Sequence, residues 1–251
     1  MRNRLVLIIF SSALIVILAL LLVCKLNNYK DHLRFRLDPL ETYRLASQTG
    51  LAENGLWIIG DSRAASWETA QLGFIRTETC NLGIRGQTSR QVLERFRNDL
   101  DESRPFCILI QVGINDLKSI GLLEDGSITR NCVLNILQIL ETCKEYEIKA
   151  IYSSIFPPGD IELLRRPFWE PTTIDSLMRV NDEIRAYCQE NGFIWFDTYK
   201  LLENQSSPGT VKKDYQSDFL HINTGGYQLI SEALQNLLST SDEEWVNYLV
   251  E

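Results

Sequence analysis

The hydrophobic positions of this chain change spacing as it proceeds. Leu5 to Val23 carry no charge and are nearly all Leu, Ile, Val, Ala and Phe. At about 1.5 Å per residue that run reaches roughly 28 Å, near the hydrocarbon thickness of a bilayer. Further on the apolar runs are short. Leu56–Ile59, Thr77–Leu82, Phe106–Val112, Ala150–Ile155 and Phe193–Phe196 read as strands, mostly buried. Between them apolar residues recur at helical spacing. Val92, Phe96 and Leu100 follow a cap at Thr88 or Ser89, and Val133, Ile136, Leu137 and Leu140 belong to a helix from Ser127. A further helix runs from Thr173 to Glu190 before Gly192. The last main helix begins after Gly226, with Leu229, Ile230, Leu234 and Leu237 apolar. Pro39–Ser47 and Ala64–Gln71 read as shorter helices, Phe156–Thr173 as a long loop, and a polar stretch leads to Asp218.

Strands alternating with helices predict an α/β domain, a parallel sheet covered on both faces. In such sheets ligands bind beyond the carboxyl ends of the strands. Ser62, Gly86 and Asn115 each fall just after a predicted strand, so three separate segments point at one edge. The chain divides into a basic segment (1–4), a transmembrane signal anchor (5–24), a connector (25–38) and one domain (39–251).

Charge and cysteine content narrow the picture. A cleaved signal peptide has a shorter apolar core and a small-residue cleavage site, and neither is present, so an uncleaved anchor is expected. Cys24 leaves a lipoprotein as the alternative, although Val23 is larger than such sites prefer. Arg2 and Arg4 precede the span and Lys25, Lys30, Arg34 and Arg36 follow it, so charge does not fix the orientation. Analogy with other singly anchored domains places this one outside the cytoplasm. Residues 1–36 carry a net +5 and the whole chain −8, which leaves −13 on the remainder. A domain that acidic is a poor nucleic-acid binder, because phosphate contacts need clustered Lys and Arg. The cysteines show no Cys-x-x-Cys spacing and read as buried thiols, with a disulfide left open.

The candidate chemistry starts at Gly60-Asp61-Ser62-Arg63, where a serine follows the end of a buried strand. A serine hydroxyl needs a base to take its proton, and histidine is the usual one. The chain has two histidines. His32 sits beside the membrane connector, so a serine–histidine mechanism must use His221. Asp218, three residues earlier, can orient the imidazole and stabilise its charged form. One histidine cannot supply a zinc cluster, so no metal or cofactor is expected. The elbow Gly-x-Ser-x-Gly of α/β-hydrolases is absent.

With these residues the chain resembles the SGNH (GDSL-like) hydrolase superfamily. Four blocks carry the resemblance in order: Gly60-Asp61-Ser62, the glycine of Ile84-Arg85-Gly86-Gln87-Thr88-Ser89, Gly113-Ile114-Asn115-Asp116, and Asp218-Phe219-Leu220-His221. The resemblance implies a three-layer α/β/α sandwich with a flavodoxin-like parallel sheet. It implies Ser62 as nucleophile, His221 as base and then acid, and Asp218 as its orienting carboxylate. It also implies an oxyanion hole made by the backbone N–H groups of Ser62 and Gly86 and the side-chain amide of Asn115. Gly83 reads as a turn residue, and Asp61 and Asp116 as local anchors.

The chain departs from the family at Arg63, where leucine often follows the serine. Arg63, Arg85, Arg165 and Arg166 form either a cationic rim for an anionic substrate or scattered surface charge. Phe168 and Trp169 either stack on a sugar or acyl chain or anchor their loop. The segment 245–250 touches either membrane or the domain. The expected activity is hydrolysis of a small acyl ester, an O-acetyl carbohydrate or a lipid ester. The alternatives are an O-acyltransferase acting on a cell-envelope glycan and, third, a non-catalytic glycan-binding domain. The triad serves the first two equally.

Overall fold

The fold is built on Leu56–Gly60 (β1), whose residues are all buried. In a computed structural model, which describes residues 2–36, 51–120, 127–163, 166 and 169–250, this strand lies inside a five-stranded parallel sheet. Thr79–Asn81 (β2) pairs on one side of it and Cys107–Gln111 (β3) on the other. Lys149–Ser153 (β4) and Ile194–Phe196 (β5) complete the order β2-β1-β3-β4-β5. This is the flavodoxin-like order, with its topological switch between β1 and β3.

The helices follow in chain order. Arg2–Arg36 (α1) stands first. Ser62–Ala65 (α2), Ser89–Glu102 (α3) and Ile114–Leu117 (α4) follow the first three strands. Ser127–Glu145 (α5), Thr173–Asn191 (α6), Thr198–Leu202 (α7), Thr224–Ser239 (α8) and Val246–Leu249 (α9) complete the set. Alternating strand residues serve opposite layers, as a two-residue period requires. Trp57, Ile59, Ile108, Ile110, Ala150 and Tyr152 pack with α3, α5 and α6. Leu56, Ile58, Leu109 and Ile151 pack with α8 and α9 on the other face. Each of the leucines and isoleucines among them contributes roughly 1.5–3 kcal/mol by leaving water.

Local chemistry sets the helix ends. Thr88 and Gln91 form a reciprocal capping box at the start of α3. Gly192 closes α6 at φ 72°, a left-handed turn that favours glycine. Asn223 accepts from the Gly226 N–H at 3.0 Å, so α8 starts two residues before the expected glycine. The helix expected over 64–71 is two pieces, α2 and a 3₁₀ turn at Thr69–Leu72. The polar stretch before Asp218 holds α7, capped by Asp197. The helix expected over Pro39–Ser47 lies outside the described residues. The tail packs on the domain. Val246 and Leu249 are buried, and the Tyr248 ring lies 4.4 Å from that of Phe106.

Helix α1 contains a stretch, Ile9–Asn27, of mean hydropathy 2.7, long and apolar enough to cross a membrane. Its side chains are largely exposed, including Phe10, Leu14 and Ile17.

Gly83 does more than turn the chain. A Cβ there would lie 2.3 Å from the Ala65 nitrogen, so the loop after β2 rests directly on the backbone of α2. Gly83→Ala is expected to destabilise the domain by about 2 kcal/mol, the scale of overpacking. A lowered urea midpoint at unchanged m-value would show it.

Candidate active site

At the end of β1 the chain turns through Gly60, at φ +150°. A Cβ at Gly60 would sit 1.9 Å from the Gln111 carbonyl oxygen, so only glycine fits. Asp61 then caps α2, its Oδ1 accepting from the Arg63 N–H at 2.8 Å. Helix α2 therefore begins at Ser62 itself, two residues before the expected start at Ala64. The Ser62 amide, at the first position of that helix, has no intrahelical carbonyl to bond.

His221 meets this serine from the far end of the chain. Its Nε2 lies 2.8 Å from Ser62 Oγ. Its Nδ1 lies 2.8 Å from Asp218 Oδ2 and 3.0 Å from Oδ1. The segment folds back on itself, with the Ser217 N–H donating to the His221 carbonyl at 2.9 Å. Asp218 Oδ1 also accepts from the backbone N–H groups of Leu220 and His221. Partial burial alone would raise the Asp218 pKa. The Leu220 N–H, the His221 ring and the His221 N–H outweigh it and hold the carboxyl below its usual range. A carboxylate, an imidazole and a hydroxyl in this line can move a proton off the serine.

The second and third blocks reach the same edge. Gly86 sits at φ +84°, and a Cβ there would meet nothing within 4 Å, so the conformation rather than crowding favours glycine. Asn115 donates through Nδ2 to the Gln87 carbonyl at 2.9 Å. That uses one of the two N–H groups of its amide and leaves the other for a different acceptor. Buried Arg95 ties these parts together, donating to Gln87 Oε1 at 2.6 Å and to the Gly60 carbonyl at 3.0 Å. Sequence patterning did not single out Arg95. The signal is nevertheless there: Arg95 and Asp99 lie on the apolar face defined by Val92, Phe96 and Leu100.

Asp116 anchors the third block to the start of α3. It accepts from the Ser89 N–H at 2.8 Å and the Ser89 hydroxyl at 2.6 Å. Burial pushes its carboxyl up to about 6 despite those bonds.

The candidate rim residues fare differently. Arg63 does not reach a surface rim and is 1% exposed. Its guanidinium donates to the carbonyls of Leu220 (2.9 Å), Phe156 (2.6 Å) and Pro157 (3.4 Å), and it lies over the Phe156 ring. It points inward because those carbonyls have no sheet partner to accept from. Arg85 is exposed and donates to Ser66 Oγ at 3.1 Å. Trp169 is half-buried and packs edge-on against Phe219, which is the anchoring alternative for that loop. Arg165 and Phe168 lie outside the described residues. Among the described residues no three His, Cys, Asp or Glu side chains gather as metal ligands.

Asp116 has a pH consequence. Its folded pKa, about 6, stands above the ordinary 3.8, so the folded state keeps a proton that the unfolded state releases. The contribution is complete below about 3.8 and lost as pH rises through about 6. Asp116→Asn keeps an acceptor for the Ser89 N–H and removes the titration. Between pH 4 and 6.5 the urea midpoint of the wild type should fall relative to that of the variant.

Comparison with known proteins identifies the family of the chain. Residues 54–229 match the family model described as the GDSL-like Lipase/Acylhydrolase family. The chain is similar to platelet-activating factor acetylhydrolase IB subunit alpha2 of Homo sapiens, at 26% identity over 200 residues, covering 76% of this chain and 79% of that protein. Its fold is similar to that of a GDSL-like lipase from Bacteroides thetaiotaomicron, with a TM-score of 0.66, 22% identity and coverage of 79% of this chain and 96% of that one. A lipase/acylhydrolase from Enterococcus faecalis superposes with a TM-score of 0.55 at 21% identity, covering 78% and 97% of the two chains. The family match runs from just before β1 into α8, through all five strands. The chain therefore belongs to the GDSL-like lipase/acylhydrolase family, and its chemistry is the hydrolysis of ester bonds.

Proposed function

We propose that this chain is a serine esterase for short acyl esters, an O-acetyl carbohydrate or a lipid ester, working through Ser62, His221 and Asp218. The observation that carries the reading is the unbroken line from Ser62 Oγ through the imidazole to the Asp218 carboxylate, each link 2.8 Å. Ser62 Oγ attacks the ester carbonyl carbon while His221 Nε2 takes the hydroxyl proton. The carbonyl oxygen becomes an oxyanion facing the N–H groups of Ser62 and Gly86 and the free N–H of Asn115. When the oxyanion collapses, the bond to the leaving alkoxide breaks and His221 returns the proton to it. Water then gives a proton to His221 and attacks the acyl carbon; the bond from that carbon to Ser62 Oγ breaks, His221 returns the proton to Oγ, and the acid leaves. Asp218 fixes which ring nitrogen carries hydrogen and stabilises the imidazolium in both halves.

Preference for short acyl groups follows the name of the human relative, an acetylhydrolase. Helix α1 supports an anchored enzyme, since its span of mean hydropathy 2.7 turns apolar side chains outward. Residues 5–24 would hold the domain at a bilayer, where acylated envelope glycans and lipids are both in reach.

Turnover of p-nitrophenyl esters from acetate to palmitate by the full chain in detergent tests the reading. Ser62→Ala should cut acetate turnover by about 10⁴-fold or more. Asn115→Ala should cut kcat by about 10²–10³-fold, the scale of one lost oxyanion donor. Rates should fall as the acyl chain lengthens. Unchanged turnover in Ser62→Ala would remove the nucleophile from the proposal, and a preference for palmitate would move the substrate to long-chain lipids.

A further inference from the structure

The polar groups of Arg63 join the two halves of the catalytic line. Its backbone N–H is held by Asp61 Oδ1 at 2.8 Å, and its carbonyl accepts from the Tyr227 hydroxyl of α8 at 2.8 Å. Its guanidinium reaches the carbonyls of Phe156 and Pro157, just after β4, and of Leu220. The Leu220 carbonyl belongs to the peptide group whose nitrogen is that of His221. That one peptide is gripped at both ends. Arg63 Nε donates to its oxygen at 2.9 Å, and its N–H donates to Asp218 Oδ1 at 2.9 Å. The plane from which the His221 side chain departs is therefore set by the residue next to the nucleophile.

Burying a guanidinium costs several kcal/mol unless its donors are met. Here the side chain is wholly enclosed, and its donors are spent on carbonyls with the Phe156 ring 3.7 Å from its centre. Burial lowers its pKa to about 10, so it stays charged at neutral pH. A charge kept there for solubility or for a surface substrate would face water. This one faces the backbone that carries the base.

We propose that Arg63 is a positioning residue that sets His221 against Ser62 by holding the Leu220–His221 peptide. The proposal rests on the Ser62–His221 reading above and adds that nucleophile and base are aligned through one side chain. It follows that Arg63 acts on the chemical step and leaves ester binding alone. A lysine can reach one or two of the carbonyls but lacks the planar fork that spans all three.

The test compares kcat and KM on p-nitrophenyl acetate for the full chain, Arg63→Met, Arg63→Lys, Ser62→Ala and Leu234→Ala. Leu234→Ala is a core change in α8 that lowers stability without touching the site. Arg63→Met is expected to lower kcat by about 100-fold, the scale of a misplaced catalytic group, with KM within about twofold. Arg63→Lys should recover part of that loss, to about tenfold below wild type. Leu234→Ala should match the drop in Tm and keep its kcat below the transition. A folded Arg63→Met enzyme with wild-type kcat would overturn the proposal. So would a loss no larger than that of Leu234→Ala at equal destabilisation. If Arg63→Met does not fold, Arg63→Lys decides: wild-type kcat refutes the proposal, and a tenfold loss at nearly unchanged Tm supports it. Turnover surviving in Ser62→Ala would sink both readings, whereas an inactive Ser62→Ala beside a fully active Arg63→Met would sink this one alone.

Discussion

A parallel sheet runs out of hydrogen-bond partners at its carboxyl edge, and that is where this family needs an open site. Carbonyls left there unpaired and buried would each cost about 1–3 kcal/mol. Two buried arginines work at this edge. Arg63 reaches carbonyls of the loop after β4 and of the segment carrying His221, and Arg95 adds a second donor from α3 to the Gly60 carbonyl, which also accepts from the Ile84 N–H at 3.0 Å. Both work through fixed forks of N–H donors, which suits carbonyls lying in different segments. The loops beyond β1, β2 and β4 are thus held together by side chains where the sheet can no longer hold them, and the site stays accessible without being loose.

Three aspartates near this edge show how surroundings divide one residue type into different tasks. Asp61 and Asp116 are buried and hold backbone, the first at α2 and the second at the start of α3. Burial raises both carboxyls. Asp218 is partly open to solvent and collects three hydrogens, from two backbone amides and the imidazole, which favours its charged form. A carboxylate beside a histidine is useful only if it stays ionised, and the partial exposure of Asp218 works in that direction.

The strands are legible in the amino-acid sequence because Leu56–Ile59 and Phe106–Val112 are apolar on both faces, as buried parallel strands must be. The meeting of Ser62 and His221 is legible because the serine follows a strand and the domain has one histidine, and Gly86 and Asn115 follow strands at the same edge. What the sequence hides is mostly the direction of polar side chains. Arg63 reads as a surface charge, since sequence carries no mark of the unpaired carbonyls that draw it inward. Gly83 reads as an ordinary turn because its close approach to Ala65 brings the loop after β2 against a helix from a separate stretch of the chain. Helix α8 starts earlier than expected because Asn223 caps a helix whose first residues include two glycines, which read as a break.

The six cysteines of this chain are all free thiols, and four of those in the domain, Cys107, Cys132, Cys143 and Cys188, are fully enclosed on the α3–α5–α6 side or within the sheet. Burial raises the pKa of each, which keeps the reactive thiolate scarce. An alkylating reagent can therefore reach them only when a helix lifts from the sheet. The domain carries its own chemical clock for local opening. The rate at which each thiol is alkylated reads out the free energy of exposing that part of the core, element by element and without an introduced cysteine.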